Sequence, residues 1–279
     1  MKKKPIIPMV IGIIAITLAI NYRSILIQGQ SQDIKKQNDN TNISSDDKKK
    51  NDNNENREKN EANTFSADPS DELPTQPPLN KSSLLDVPII KQNPGLYNGC
   101  EVTSLAMLLK YKGIAKSDKM TLARLVKKDS TPLVRDKSGN IIRWGDPNYG
   151  FVGDITGKKP GYGVYDKPLL ELLEKYMPGK SVNLTGKGID SLFRSIQNGN
   201  PVVVWVTVNY NVAKKFVTWE KDGKDIKATF SEHAVLLVGY DEWYCYVNNP
   251  YNGRKNEQIK KEVFEKVWES MGSMAISST

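Results

Sequence analysis

The sequence is short of the side chains that most often carry chemistry. Its 279 residues hold one histidine and two cysteines. Two cysteines cannot build a disulfide framework. Their placement also argues against a single bridge. Cys100 opens a predicted helix, and Cys245 falls inside a predicted strand, "WYCYVNN", where it reads as a small core residue; a Cys100–Cys245 disulfide is the minor alternative. Any imidazole base must be His233. No phosphate loop is present: Gly153 and Gly157-Lys158 lack the required spacing, and no Ser or Thr follows the lysine. No internal repeat is found. The net charge is +8, but no basic cluster is interleaved with aromatics, so no nucleic acid is expected as a partner. No metal and no cofactor are expected.

Large apolar side chains are also scarce in one long region. Residues 29–80 are dominated by Asn, Asp, Lys, Glu and Ser, and such a segment cannot bury enough surface to offset chain entropy. A disordered linker is expected there. Before it, Met1-Lys2-Lys3-Lys4 leads into "PIIPMVIGIIAITLAI", and the uncharged run from Pro5 to Tyr22 reaches about the 18 residues at which a segment can span a membrane. Residues 1–28 therefore read as a signal peptide or signal anchor, with the rest of the chain outside the cytoplasm. The expected location is extracellular or cell-surface, membrane-anchored by the N-terminus or secreted.

One folded domain is expected over residues 84–279. "LLDVPIIKQ" reads as a short entering strand. After Cys100, Val102, Leu105, Ala106 and Leu109 follow helical spacing, and Gly113 ends the run. A second helix, "SDKMTLARLVKKD", places Met120, Leu122, Leu125 and Val126 inward. A third, "DKPLLELLEKYMPGK", takes Asp166 as its cap. "GIDSLFRSIQNGN" is a fourth. "PVVVWVTV", "HAVLLVGYD" and "WYCYVNN" read as strands, and a last helix groups Val263, Phe264, Val267, Trp268 and Met271. Helices first and an antiparallel sheet after them indicate an α+β fold. The stretch from Arg143 to Asp166 reads as a long irregular loop anchored by Trp144, Tyr149, Phe151 and Tyr162.

A cysteine acts as a nucleophile only as thiolate, and a helix N-terminus favours that anion. Cys100 is placed there. His233 follows within the roughly 130–150-residue spacing of papain-type enzymes. The base needs an acceptor to fix its tautomer. Asn249, at the end of the next strand, is in position; Asn248 points to the opposite face by strand alternation, and Asp241, at the far end of the hairpin, is the weaker candidate. Gln92 can supply an oxyanion donor together with the Cys100 backbone N–H.

"LDVPIIKQ…NGCEVTSLAMLLKYKG", "WGDPNYGFVGD", "NPVVVWVT", "EHAVLLVGYD" and "YVNNPYNG" together resemble the secreted, stand-alone members of the bacteriocin-processing (double-glycine leader) cysteine peptidase family. The resemblance covers residues 84–279. It implies a papain-like fold, a peptide or protein substrate, and Cys100, His233, Asn249 and Gln92 in the roles of nucleophile, base, orienter and oxyanion donor. Two departures stand out. Glu101 follows the cysteine where many members have Gly, and Asn249 precedes the final Pro where many have Asp. The transporter part of bacteriocin exporters is absent, so leader processing does not carry over. Two other functions fit the same residues. One is a catalytically degenerate peptidase-fold binding module at the cell surface, for which Glu101 speaks. The other is a cell-wall peptide hydrolase, for which the location speaks.

Overall fold

The computed structural model describes residues 77–279. The expected export segment and nearly all of the expected linker lie outside the described residues. Among the described residues no helix is long and apolar enough to cross a membrane.

The first helix, α1, spans Cys100–Tyr111, and every residue from Cys100 through Leu109 is buried. The expected apolar stripe is present, but Glu101, Thr103, Ser104, Met107 and Leu108 are enclosed as well. A helix enclosed on all sides belongs to the centre of a core rather than to its surface. Helix α2 (Lys119–Leu125) is capped by Asp118, which accepts the Met120 and Thr121 N–H groups at 3.0 Å each. Only Leu122, Ala123 and the following Val126 turn inward, whereas Met120 and Leu125, expected inside, are exposed, because this short helix presents only a narrow buried face. Helix α3 spans Asp166–Tyr176. Asp166 is its first residue and Tyr165 the cap; the Asp166 carboxylate is taken by the Thr185 hydroxyl at 2.8 Å. Helices α4 (Ile189–Gln197) and α5 (Lys261–Ser270) follow, and Val263 of α5 is exposed while Phe264, Val267 and Trp268 are buried.

Among the described residues thirteen strands are interleaved with these helices, numbered in chain order. They are β1 (Ser83–Leu84), β2 (Lys128–Asp129), β3 (Val134–Arg135), β4 (Ile141–Arg143), β5 (Phe151–Val152), β6 (Ser181–Asn183), β7 (Val202–Thr207), β8 (Val217–Lys221), β9 (Lys224–Ala228), β10 (Glu232–Tyr240), β11 (Tyr244–Asn249), β12 (Arg254–Lys260) and β13 (Ala275–Ser278). The main sheet runs β12-β11-β10-β7-β13-β6, with β1 paired to the end of β10. All of its pairings are antiparallel. Two smaller sheets, a parallel β2-β5 pair and β3-β4-β8-β9, were not anticipated from the sequence. The architecture is α+β.

Period-two alternation divides the core between the two faces of the main sheet. On β10, Ala234, Leu236 and Val238 pack with α1, while Val235 and Leu237 pack with α4 and α5. On β7, Val203 and Trp205 join the first group, and Val202, Val204 and Val206 the second. The aromatic loop is ordered around a third cluster. Trp144 and Tyr162 each lie 5.7 Å, ring centre to centre, from Trp219. Tyr149 lies outside it, with the Lys127 ammonium 3.9 Å above its ring.

Asn248 shows what this packing demands of a polar residue. It is fully buried, donates to the Val87 carbonyl at 2.9 Å and accepts the Asn256 N–H at 3.0 Å. Asn248→Ala strands both backbone groups inside the protein. The expected loss is about 2 kcal/mol or more of unfolding free energy, measured as a fall in the denaturant midpoint; a midpoint equal to wild type would show that water replaces the amide.

Candidate active site

The pair Asn98-Gly99 has a physical purpose in front of Cys100. The Asn98 N–H donates to the Ile155 carbonyl at 3.0 Å and its side-chain Nδ2 to the Asp154 carbonyl at 2.7 Å, which pins the chain to the aromatic loop. Gly99 occupies the cap position, and its carbonyl accepts both the N–H and the hydroxyl of Thr103 at 3.0 and 2.6 Å. A Cβ at residue 99 would sit 2.6 Å from the Leu96 Cβ, so only glycine fits. Cys100 therefore enters α1 at a fixed place. One turn later, the Ser104 hydroxyl donates to the Ala234 carbonyl at 3.3 Å, which docks the helix beside His233.

His233 is buried, and its Nε2 lies 3.0 Å from the Asn249 Oδ1. Tyr251 approaches the imidazole edge-on, with 6.1 Å between ring centres. Asn249 is thus the residue that meets the imidazole, and its neighbour Asn248 faces away toward Val87. Asp241 is a turn-former: it accepts the Trp243 and Tyr244 N–H groups at 2.7 Å each and the Tyr246 hydroxyl at 2.6 Å. Cys245 is a free, buried core residue, and Cys100 is free as well, so no disulfide joins them.

Gln92 is buried on a short loop. Its N–H reaches the Pro250 carbonyl at 2.9 Å, and its Nε2 donates to the Tyr97 carbonyl at 2.7 Å. One Nε2 hydrogen is left over. The Gln92 Oε1 is buried with no hydrogen-bond partner. The Lys119 ammonium holds this loop from below through the carbonyls of Lys91, Gln92 and Pro94 at 2.7, 2.7 and 2.9 Å.

The thiol itself is directed elsewhere. Its hydrogen-bond partner is the Glu101 Oε2 at 3.4 Å, and no hydrogen bond joins it to His233 among the described residues. Glu232, the residue before His233, lies on the same side: the ligand atoms of Cys100, Glu101 and Glu232 all fall within 4.8 Å of one another. Both Glu101 oxygens are engaged, Oε1 by the Val164 N–H at 2.7 Å and Oε2 by the thiol. Gly163 makes the approach to Glu101 feasible, since a Cβ there would come 2.4 Å from its Oε1.

Each ionisable group in the site is held toward its neutral form. Burial pushes the Cys100 thiol well above its ordinary range, and the Glu101 and Glu232 carboxyls push it further; the Ala234 backbone N–H acts in the opposite sense. Burial raises Glu101 to about 7, against the hydrogen bond from Val164. Burial, then the neighbouring Glu101, raises Glu232 well above the usual carboxyl range. Burial lowers His233 to about 4, while Asn249 and the charge of Glu257 pull it back up.

Sequence reasoning missed Glu232 and the degree of enclosure of Glu101. One signal was available: Glu232 and Ala234 are two apart on one strand, so the face that meets α1 also carries a carboxyl.

The Peptidase_C39 like family model matches residues 84–276. The uncharacterized protein YvpB of Bacillus subtilis (strain 168) is 43% identical over 194 residues, which is 69% of this chain and 74% of that protein. A crystal structure of a Bacillus anthracis protein assigned as a C39-like peptidase is 42% identical, with a TM-score of 0.65 over 72% of this chain and 98% of that one. Xylellain, a cysteine protease from Xylella fastidiosa, is 16% identical, with a TM-score of 0.35 over 72% of this chain and 87% of that one. The chain belongs to the Peptidase_C39 like family and shares its α+β fold with the Bacillus anthracis structure.

Proposed function

We propose that the chain is a cysteine peptidase that hydrolyses peptide bonds with Cys100 as nucleophile, His233 as base, Asn249 as orienter and Gln92 as oxyanion donor. The observation that carries this reading is the 3.0 Å contact between His233 Nε2 and Asn249 Oδ1, on a strand to which the helix opened by Cys100 is hydrogen-bonded through Ser104. An amide oxygen only accepts, so Nε2 carries the proton and Nδ1 keeps its lone pair. Nδ1 then removes the thiol proton as sulfur attacks the substrate carbonyl. The developing oxyanion is met by the Cys100 N–H and the spare Nε2 hydrogen of Gln92. The imidazolium passes its proton to the leaving amine, and water, deprotonated by the same nitrogen, hydrolyses the thioester.

A neutral thiol and a neutral imidazole describe the resting site, because burial opposes the charge on both. Proton transfer then accompanies attack instead of preceding it. In resting structures such contacts are often long and tighten only when substrate is bound. The leading segment of the sequence, Lys-rich and then uncharged to Tyr22, supports an extracellular or cell-surface location. One observation favours a second reading, a binding module without turnover: the two carboxyls that hold the thiol neutral.

Profiling of a diverse peptide library by mass spectrometry separates the two. Cleavage is expected, and Cys100→Ala and His233→Ala should each lower it by about a thousandfold or more. No cleavage by wild type, with no labelling of Cys100 by a thiol-directed probe in the presence of any library peptide, would favour the binding module.

Glu101 gives a second test. Its folded-state value, about 7, lies above the ordinary 4.5. The folded protein therefore binds the proton more tightly than the unfolded chain, and the associated stability is complete below about pH 4.5 and lost as pH rises through 7. Glu101→Gln keeps an acceptor for the Val164 N–H and removes the charge. It should melt higher than wild type at pH 8 and match it at pH 4, and it should speed alkylation of Cys100 at neutral pH. Equal melting temperatures at pH 8 would show that Glu101 is not a buried carboxyl of raised pKa.

A further inference from the structure

The amide of Asn249 has a second neighbour that the catalytic reading does not use. The Asn249 Nδ2 donates to the Glu257 Oε2 at 2.8 Å and to the Tyr210 hydroxyl at 3.2 Å. The Tyr210 hydroxyl in turn donates to the same Glu257 oxygen at 3.2 Å. Burial and the Glu257 charge keep that phenol protonated, so it has one proton, given to Glu257, and a lone pair for Asn249. Both hydrogens of Nδ2 are thereby used by acceptors. On the other side, Oδ1 faces His233 Nε2 and also accepts the Tyr251 N–H at 3.0 Å. A flipped amide would set Oδ1 against a carboxylate and Nδ2 against an N–H donor. The orientation of Asn249 is therefore dictated by chemistry and not only by shape.

The strand geometry puts Glu257 there. Between β11 and β12 the register shifts: Val247 faces Glu257, but Asn249 faces Arg254. The extra length is taken up around Asn256, which adopts a φ of +54° and gives its N–H to Asn248. Such bulges re-aim side chains, and here the Glu257 carboxylate comes under Asn249. Asn252 at 3.1 Å and Arg254 at 3.2 Å hold its other oxygen, Oε1.

We propose that Glu257 is a positioning residue: through Asn249 it fixes which nitrogen of His233 carries the proton and so which one is the base, and it supplies, one residue further out, the negative charge that an aspartate would carry at position 249. The proposal rests on the peptidase reading for its catalytic meaning but not for its structural content.

The lone histidine makes a direct test feasible, because every imidazole signal in the protein belongs to His233. Nitrogen-15 spectra of the wild-type chain should show the Nε2–H tautomer. Glu257→Ala leaves only the Tyr251 N–H to hold the amide against turning, and should add the second tautomer to the spectrum while circular dichroism stays native. An unchanged tautomer in a folded Glu257→Ala variant would overturn the proposal whether or not the chain cleaves peptides. A changed tautomer in a chain without peptidase activity would uphold the positioning and sink the catalytic reading instead.

Turnover gives a reversal that a merely structural role would not produce. Glu257→Gln should lower kcat by about tenfold or more with KM little changed. Asn249→Asp alone should also be impaired, because it places two carboxylates in contact. The double variant Asn249→Asp, Glu257→Gln should recover most of the lost kcat, since one charge then sits directly on Nε2–H. If the double variant is as poor as the product of the two single losses, the charge of Glu257 plays no part.

Discussion

The enclosure of α1 is the constraint from which the site follows. A helix buried from Cys100 to Leu109 must satisfy every polar group it carries. Thr103 turns back to the Gly99 carbonyl, Ser104 crosses to the Ala234 carbonyl and Glu101 takes the Val164 N–H. Each of these bonds also fixes a neighbour: the turn before the cysteine, the strand that bears His233, and the segment that enters α3. The polar residues of the helix therefore act as location pins. The apolar ones set the depth of the helix in the core, and the polar ones set its rotation and register, which decide where the sulfur sits.

The same enclosure creates an electrostatic conflict. A helix N-terminus favours an anion, yet two carboxyls lie within 4.8 Å of the thiol. Removal from water raises every member of the trio toward neutrality, and the Glu101 and Glu232 carboxyls sharpen the effect on the thiol. The outcome is a sulfur held as thiol. In the peptidase reading proposed above, substrate binding has to supply the reorientation of the thiol toward His233.

Much of this was legible in the sequence, for reasons that are physical. The spacing after Cys100 announces a helix, and the β-branched run before Thr207 announces a buried strand. Strand alternation alone distinguishes Asn248 from Asn249, and the structure places the first on a backbone carbonyl and the second on the imidazole. What stayed hidden was of two kinds. Strand β12 reads "RKNEQIK", an edge strand whose residues are mostly in contact with water, so its composition carries no period-two signal. The hairpin of β8 and β9 is polar outside Val217, Trp219, Ile226 and Ala228. The second kind is contact across a register shift. No spacing rule brings Glu257 to Asn249, because the bulge around Asn256 has to be seen before the two can be placed together.

That bulge also explains why two adjacent asparagines end β11. Asn248 accepts the Asn256 N–H, and so holds the irregular turn of β12 in place. With that turn held, Glu257 is delivered to the Asn249 amide, and Asn249 presents its oxygen to His233. One asparagine builds the local backbone and the other uses it. An aspartate at position 248 would lose the donor that reaches Val87, and an aspartate at 249 would lose the donor that reaches Glu257. The requirement for an amide at both places therefore comes from opposite faces of the strand: each side chain must accept on one side and donate on the other, which a carboxylate cannot do.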